Sequence, residues 1–373
     1  MVGIYIHIPF CQKKCSYCDF YSVVNARQIE GFVQALLVEI RQRSYELSTD
    51  MVETIYLGGG TPSLLNYKLI DTIITTVKEC YNISKNAEIT IECNPGDVSQ
   101  IEVSQLIKLG INRFSVGVQS FHNPLLKTLG RRHSSDESFE LYNFLRTEGA
   151  TNISLDLIYS IPGSSLKDVE DDVLQMIALS PEHISTYDLI YEQGTPFAEM
   201  RNKGEITPIP EDVSLQMSHS IDRLLKLAGY EHYEISNYSK KGFRSRHNSI
   251  YWSGGSYLGF GPSAHSYIHP WRSWNVASLN TYNRELLYSG CLSSRTYERL
   301  SQEMIQDEYF LTRLRTCQGI SINEMATLDI PIPEDAINRL KQSGLLKQDG
   351  DRISLTEKGV DVADRVIIDI VSQ

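Results

Sequence analysis

The chain has 373 residues, a formal net charge of −11 and an ordinary globular composition, 41% hydrophobic and 22% charged. That length builds a large core and more than one domain, and the acidic balance argues against a generic nucleic-acid binder, which presents a basic face. No basic leader with a cleavage site opens the sequence, and no apolar run reaches the roughly 18 residues of a membrane span, so the expectation is a cytoplasmic chain in a reducing compartment with no transmembrane segment.

In chain order, a short apolar run, Gly3-Ile4-Tyr5-Ile6-His7-Ile8-Pro9-Phe10, leads into Cys11, Cys15 and Cys18, spaced C-x3-C-x2-C. Strand-like runs, rich in β-branched and aromatic residues, fall at 3–10, 52–60, 87–95, 111–120, 152–162 and 183–193. Helical spacing lies between them, as in Ile29, Phe32, Val33, Leu36, Leu37 and Ile40, and again near 66–80, 99–108, 134–148, 165–178 and 211–229. Six β/α units in a row predict an α/β fold, a parallel sheet with helices outside it. Cysteine and polar motifs sit at the C-terminal ends of several strands, where barrels place their sites. Residues 1–230 are therefore read as a partial (β/α)6 TIM-like barrel rather than a doubly wound sheet. Residues 231–295, dense in Tyr, Trp, Ser, Gly and His without clean periodicity, read as an aromatic-rich connecting module whose rings need burial or a ligand. Residues 296–373 read as a C-terminal winged-helix-like α+β domain. Its helices are expected at 299–315, 321–328, 333–343 and 356–370, with a hairpin turning at Asp349-Gly350. It carries 9 Lys/Arg against 14 Asp/Glu, so it is expected to pack or dock a partner rather than read DNA.

In a reducing compartment, clustered cysteines bind metal more often than they pair. Three thiolates at this spacing suit three irons of a [4Fe–4S] cube and leave the fourth open. The competing reading, structural zinc, wants four ligands, usually as two C-x2-C pairs, and no second pair exists. Gly58-Gly59-Gly60-Thr61-Pro62 follows a strand. Glycines there let the backbone approach a ligand and expose N–H groups, although a tight turn alone explains such a run. Glu92, in Ile91-Glu92-Cys93-Asn94-Pro95, is placed to accept hydrogen bonds from a ligand or to cap a helix. Arg131 reads either as a carboxylate partner or as a surface arginine beside Arg132.

Tyr5-x-His7-Ile8-Pro9-Phe10-Cys11-x3-Cys15-x2-Cys18, taken with Gly-Gly-Gly-Thr-Pro, resembles the radical S-adenosylmethionine superfamily. Within it, the chain resembles the branch of oxygen-independent coproporphyrinogen III oxidases and HemW heme chaperones, and the resemblance covers essentially the whole sequence. It implies a [4Fe–4S] cluster on Cys11, Cys15 and Cys18, with S-adenosylmethionine chelating the open iron. Tyr5, Gly59 and Glu92 match contacts to that molecule, and Tyr17 matches an aromatic beside a second site. Gly60, Thr61, Gln119, Arg131 and Asp156 match contacts to a second S-adenosylmethionine in the oxidase. Two departures turn the reading from oxidase to chaperone. Phe20 stands where the oxidase has a further cysteine, and only Met1 and Val2 precede Gly3, where the oxidase carries an extension. Arg246-His247-Asn248-Ser249-Ile250-Tyr251-Trp252 contains H-N-x-x-Y-W, which the resemblance ties to heme. His247 is the candidate contact, Arg244 and Arg246 the propionate partners, and Tyr257, His265, His269, Trp271 and Trp274 alternative ligands or packing. Read from the residues alone, His247 is a hydrogen-bonded corner packed against the barrel sooner than a heme ligand. The implied activity is transfer of heme to hemoproteins, respiratory ones included, at the inner membrane face. The alternative is an oxygen-independent coproporphyrinogen III oxidase or another radical enzyme of porphyrin metabolism. No catalytic residue is assigned.

Overall fold

A computed structural model describes residues 1–372. Six parallel strands, β1 (Val2–Ile8), β2 (Val52–Gly59), β3 (Ile83–Cys93), β4 (Arg113–Gln119), β5 (Ile153–Tyr159) and β6 (His183–Asp188), pair in sequence order. A doubly wound sheet would reverse its strand order at a switch point; this one does not, which makes it an open, partial barrel. Helices α1 (Ile29–Gln42), α2 (Tyr67–Cys80), α3 (Gln100–Lys108), α4 (Asn123–Leu129), α5 (Ser135–Thr147), α6 (Leu166–Leu179), α7 (Pro196–Asn202) and α8 (Glu211–Leu227) follow the strands. Reciprocal caps fix where three of them start: Ser99 with Glu102, Ser134 with Glu137, and Ser165 with Asp168. Each pair satisfies two backbone N–H groups that would otherwise be orphaned.

Period two along each strand divides the two faces. Ile4, Ile6 and Ile8 point outward into the main core beneath the helices, while Gly3, Tyr5 and His7 point into the barrel. The same alternation sends Phe114, Val116 and Val118 outward, and Arg113, Ser115, Gly117 and Gln119 inward. Closed barrels of this type usually fill their interior with branched apolar side chains; here the interior is polar.

The aromatic segment does not form a module of its own, contrary to expectation. It supplies β7 (Glu231–Glu234) and β8 (Asn237–Ser239), which extend the sheet beyond β6. After helix α9 (Arg246–Trp252) it supplies β9 (Ser256–Phe260), parallel to β1, and then β10 (His265–Ile268) and β11 (Trp271–Trp274), followed by α10 (Leu279–Arg284). These strands hold three to five residues each, too few for periodicity to register. Strand β12 (Thr296–Arg299) completes the sheet of 12 strands, so the sheet runs on past residue 295. Helices α4 and α7, seven residues each, also escaped periodicity, although Asn123-Pro124, Gly130 and Thr195-Pro196 punctuate their ends.

The tail has its own core around Phe310, Leu314, Ile320, Met325, Ile337 and Ile367. Helices α11 (Gln302–Arg313), α12 (Ile322–Thr327) and α13 (Glu334–Gln342) pack with β13 (Ile320–Ser321), β14 (Leu346–Asp349) and β15 (Arg352–Leu355) in a winged-helix arrangement. The expected last helix is two, α14 (Glu357–Val360) and α15 (Ala363–Val371). Among the described residues, no helix is long and apolar enough to cross a membrane.

Candidate functional site

The cysteine loop leaves the C-terminal end of β1 and is held down along its length. Cys11 N donates to Val23 O at 3.1 Å, Ser16 N to Leu129 O at 3.2 Å, and Phe197 N to Ser16 O at 3.0 Å. Tyr17 packs on Leu125, Leu129, Ile158, Ile161, Leu189 and Phe197. Helices α4 and α7 therefore seat the loop that carries the thiols. All three cysteines are unpaired and partly exposed. Burial first, and then the neighbouring Cys15 and Cys11 sulfurs, push the Cys18 thiol up to about 11. Among the described residues, no three His, Cys, Asp or Glu side chains converge on one ion position. Three soft sulfur donors on one anchored loop fit the cluster.

A hydrogen-bonded chain joins two of the thiols across the strand ends. Thr61 Oγ1 donates to Cys11 Sγ at 3.7 Å and accepts from Asn94 Nδ2 at 2.8 Å. Asn94 Oδ1 accepts from Arg131 Nη2 at 2.5 Å, and Arg131 Nη1 donates to Cys15 Sγ at 3.6 Å. Arg131 is thus a residue of the mouth and not of the surface. Its Nε is buried without a partner, as is Oε1 of Gln119, which sits at a φ of 67°. A Cβ on Gly117 would press on Gln119 Nε2 at 2.9 Å and on Arg131 and Asn94 at 3.3 Å. Orphaned polar atoms around a gap reserved by a glycine fit a polar ligand seated there, as S-adenosylmethionine would be.

The glycine run is sterically fixed. Gly59 holds a φ of 106°, and a Cβ there would overlap the His7 ring. Side chains at Gly58 and Gly60 would strike Glu92 and the backbone of Ile8 and Phe10. Glu92 accepts from Tyr56 Oη at 2.8 Å and Gly59 N at 3.0 Å, so it neither caps a helix nor forms an ion pair within 4 Å. Burial raises its pKa to about 7 against those bonds. Asp156, facing Ser115 Oγ at 3.4 Å, is likewise pushed up to about 6, chiefly by burial. Tyr5 lies beside Tyr56, with ring centroids 6.1 Å apart, and hydrogen-bonds His7 Nδ1 at 3.1 Å. Tyr5, Gly59, Gly60, Thr61, Glu92, Gln119, Arg131 and Asp156 therefore share one lumen below the cysteine loop.

His247 stands apart from the mouth. Helix α9 packs against β1 and β2 at the opposite, N-terminal end of the barrel, and His247 is 1% exposed. Its Nδ1 is 2.7 Å from Thr54 Oγ1 and its Nε2 is 2.8 Å from Tyr251 Oη, so neither ring nitrogen is free to ligate iron in this arrangement. Burial, and then Arg113, lower its pKa to about 3. Arg246 is engaged by Glu53 and Asn86 O, and Arg244 by Glu231. The packed-corner reading describes this geometry.

Sequence reasoning missed Tyr56, Asn94 and Arg113. Arg113 is 2% exposed on the lumen side of β4, with its Nε unpartnered. The signal was an arginine, a serine and a glycine at alternate positions of an otherwise apolar strand, which marks a polar interior.

Residues 5–176 match the radical SAM superfamily model, and residues 300–362 match the HemN C-terminal domain. The chain is 34% identical to the heme chaperone HemW of Lactococcus lactis subsp. lactis (strain IL1403), over 97% of this chain and 95% of that protein. It is 34% identical to the heme chaperone HemW of Bacillus subtilis (strain 168), with 96% of each covered. Coproporphyrinogen III oxidase from Escherichia coli superposes with a TM-score of 0.86 over 100% of this chain and 90% of that one, at 22% identity, a likeness of fold. The anchored cysteine triad, the polar lumen and this full-length similarity together place the chain in the HemW heme-chaperone family of the radical S-adenosylmethionine superfamily.

Proposed function

We propose that the protein is a heme chaperone that holds a [4Fe–4S] cluster and S-adenosylmethionine at the barrel mouth and passes heme to hemoproteins. The observation that carries this reading is the near full-length similarity to HemW chaperones, together with Phe20, which is 65% exposed beside the cysteine loop and supplies no further thiol. Cys11, Cys15 and Cys18 would hold the cluster. Tyr5, Gly59 and Glu92 would line the adjoining S-adenosylmethionine site, and Gly60, Thr61, Gln119, Arg131 and Asp156 the place a second such molecule would take, with Thr61 and Arg131 at the mouth. Bound there, the cluster and S-adenosylmethionine supply one-electron chemistry. The chain's own part is to enclose them, to hold Arg131 on the Cys15 sulfur and Thr61 on the Cys11 sulfur, and to hold Glu92 ready to take or release a proton. A cytoplasmic location, with delivery to recipients at the membrane face, belongs to the same reading.

Anaerobic reconstitution followed by heme titration tests it. The expected result is cluster absorbance that needs all three cysteines and a Soret shift on adding heme. Loss of CO₂ from coproporphyrinogen III in the same sample would instead establish the oxidase.

Heme contact through His247 requires the ring to leave Thr54 or Tyr251. Thr54→Val removes one of these restraints and keeps the imidazole. If His247 meets heme, this substitution strengthens heme binding while His247→Ala weakens it. If His247 only closes the barrel floor, both substitutions lower the thermal midpoint and leave heme affinity unchanged.

A further inference from the structure

A line of aromatic rings leaves the lumen through the barrel floor and reaches the surface. Ring centroids are 6.1 Å apart from Tyr5 to Tyr56, 5.0 Å from Tyr56 to His247, and 5.1 Å from His247 to Tyr251. They are 4.6 Å apart from Tyr251 to Tyr257, 6.3 Å from Tyr257 to Tyr267, and 6.4 Å from Tyr267 to His269. Such spacings bring successive ring edges close to contact. The line begins among the residues that line the lumen and ends at half-buried Tyr267 and exposed His269.

The hydroxyls are a second, independent regularity. Tyr5 hydrogen-bonds His7 Nδ1 at 3.1 Å; because His7 Nε2 faces Tyr21 O at 2.8 Å and must carry the ring proton, Nδ1 accepts. Tyr56 donates to Glu92 at 2.8 Å, Tyr251 is 2.8 Å from His247 Nε2, and Tyr267 is 3.2 Å from His269 Nδ1. Four of the five phenols thus face a carboxylate or an imidazole nitrogen, that of His247 accepting in the tautomer whose Nδ1–H is donated to Thr54 Oγ1. A phenol that loses an electron becomes a strong acid, so a hydrogen-bonded imidazole or carboxylate is what makes its oxidation accessible. Packing alone requires the rings and is indifferent to where the hydroxyls point.

We propose that this line conducts single oxidising equivalents between the lumen and the surface at His269. In each step, one electron passes to an oxidised phenol from the next phenol along the line. The donor's O–H bond breaks and its proton goes to its own base. The base beside the reduced phenol returns a proton and remakes that O–H bond. His247 and Tyr257 act as bridging rings. At Tyr267, a thiol or ascorbate-class reductant in solution supplies the final electron and proton. The consequence is protection: an organic or oxygen-centred radical formed in the lumen that finds no acceptor takes one electron from Tyr5 and one proton by way of His7, and the oxidising equivalent left on Tyr5 is discharged outside the barrel. This inference does not depend on what cargo the protein carries.

The test uses the full chain without its cluster, with 3-aminotyrosine in place of Tyr5 as a trap for the oxidising equivalent. A soluble ruthenium polypyridyl photo-oxidant with a cobalt(III) acceptor oxidises the surface. Electron paramagnetic resonance then reads the radical. The expected result is an aminotyrosyl signal at position 5 that is lost in Tyr251→Phe and in Tyr267→Phe. It should persist in Tyr288→Phe, whose ring is 87% exposed and lies off the line. Both loss variants keep their rings, and Tyr267 is only half-buried, so a folding defect in one leaves the other informative. Absence of the signal, or its survival in both variants, overturns the proposal.

Discussion

His133 sits behind the mouth at 7% exposure, with Nε2–H donated to Val118 O at 3.1 Å. Burial, and then Arg131, push its pKa down to about 4. The unfolded chain takes up this proton near the ordinary value of about 6.5, so His133 favours the fold above that pH and the contribution is lost as pH falls toward 4. The limit of the effect is roughly 3 kcal/mol, at about 1.4 kcal/mol per unit. His133→Gln retains an N–H donor without a titrating ring. Urea midpoints between pH 7 and 4 are expected to fall further for the natural chain than for this variant, and parallel falls would refute the assignment. At this scale the sequence showed residues whose chemistry is rare in context: three close cysteines, and an acid at an apolar strand end in Glu92. Asn94 and Tyr56 are ordinary residue types, and only the neighbours that the fold brings to them give them a role.

The end of β2 and the residue after it, Gly58, Gly59 and Gly60, are each excluded from carrying a side chain by a different neighbour. Gly59→Ala places an alanine at a φ of 106° and presses on His7, a strain of about 1–3 kcal/mol. The displaced Gly59 N–H would also release Glu92. The expected outcome is a folded protein whose reconstituted cluster gives a spectrum unchanged by S-adenosylmethionine; a normal S-adenosylmethionine response would show that the turn has slack. The six β/α units were legible because strands and helices of ordinary length repeat their periods several times. Helices α4 and α7 hold the cysteine loop in about two turns each, too short for that signal.

Over the whole molecule, a buried cluster ties the first helix to the end of the sheet. Glu39, 1% exposed, accepts from Arg43 at 2.8 Å, Gly261 N at 2.9 Å, Asn275 at 2.8 Å and Tyr282 at 2.6 Å. Glu39→Gln removes the buried charge that Arg43 shares with Glu46 and puts an NH2 group in place of one of two oxygens that each accept two of the four donors, and is expected to cost about 3–5 kcal/mol. Chemical denaturation measures this, and a loss below about 1 kcal/mol, the value of a single exposed pair, would contradict it. The C-terminal domain is tied to α9 and to β7 at the other edge of the sheet: Arg313 Nη1 donates to Trp252 O at 2.5 Å, and Cys317 N to Tyr233 O at 3.0 Å. The sequence by itself determined the cysteine loop and the hairpin of the tail, which are written in local spacing, and the barrel class, which is written in the repeat of six β/α units with polar motifs at several strand ends. Only the tertiary structure decided that residues 231–299 complete the sheet on both edges, that Arg131 belongs to the mouth, and that His247 is locked into the floor with both ring nitrogens bonded. These are consequences of pairing across many tens of residues, where a side chain's partners are set by strand register and packing rather than by its neighbours in sequence.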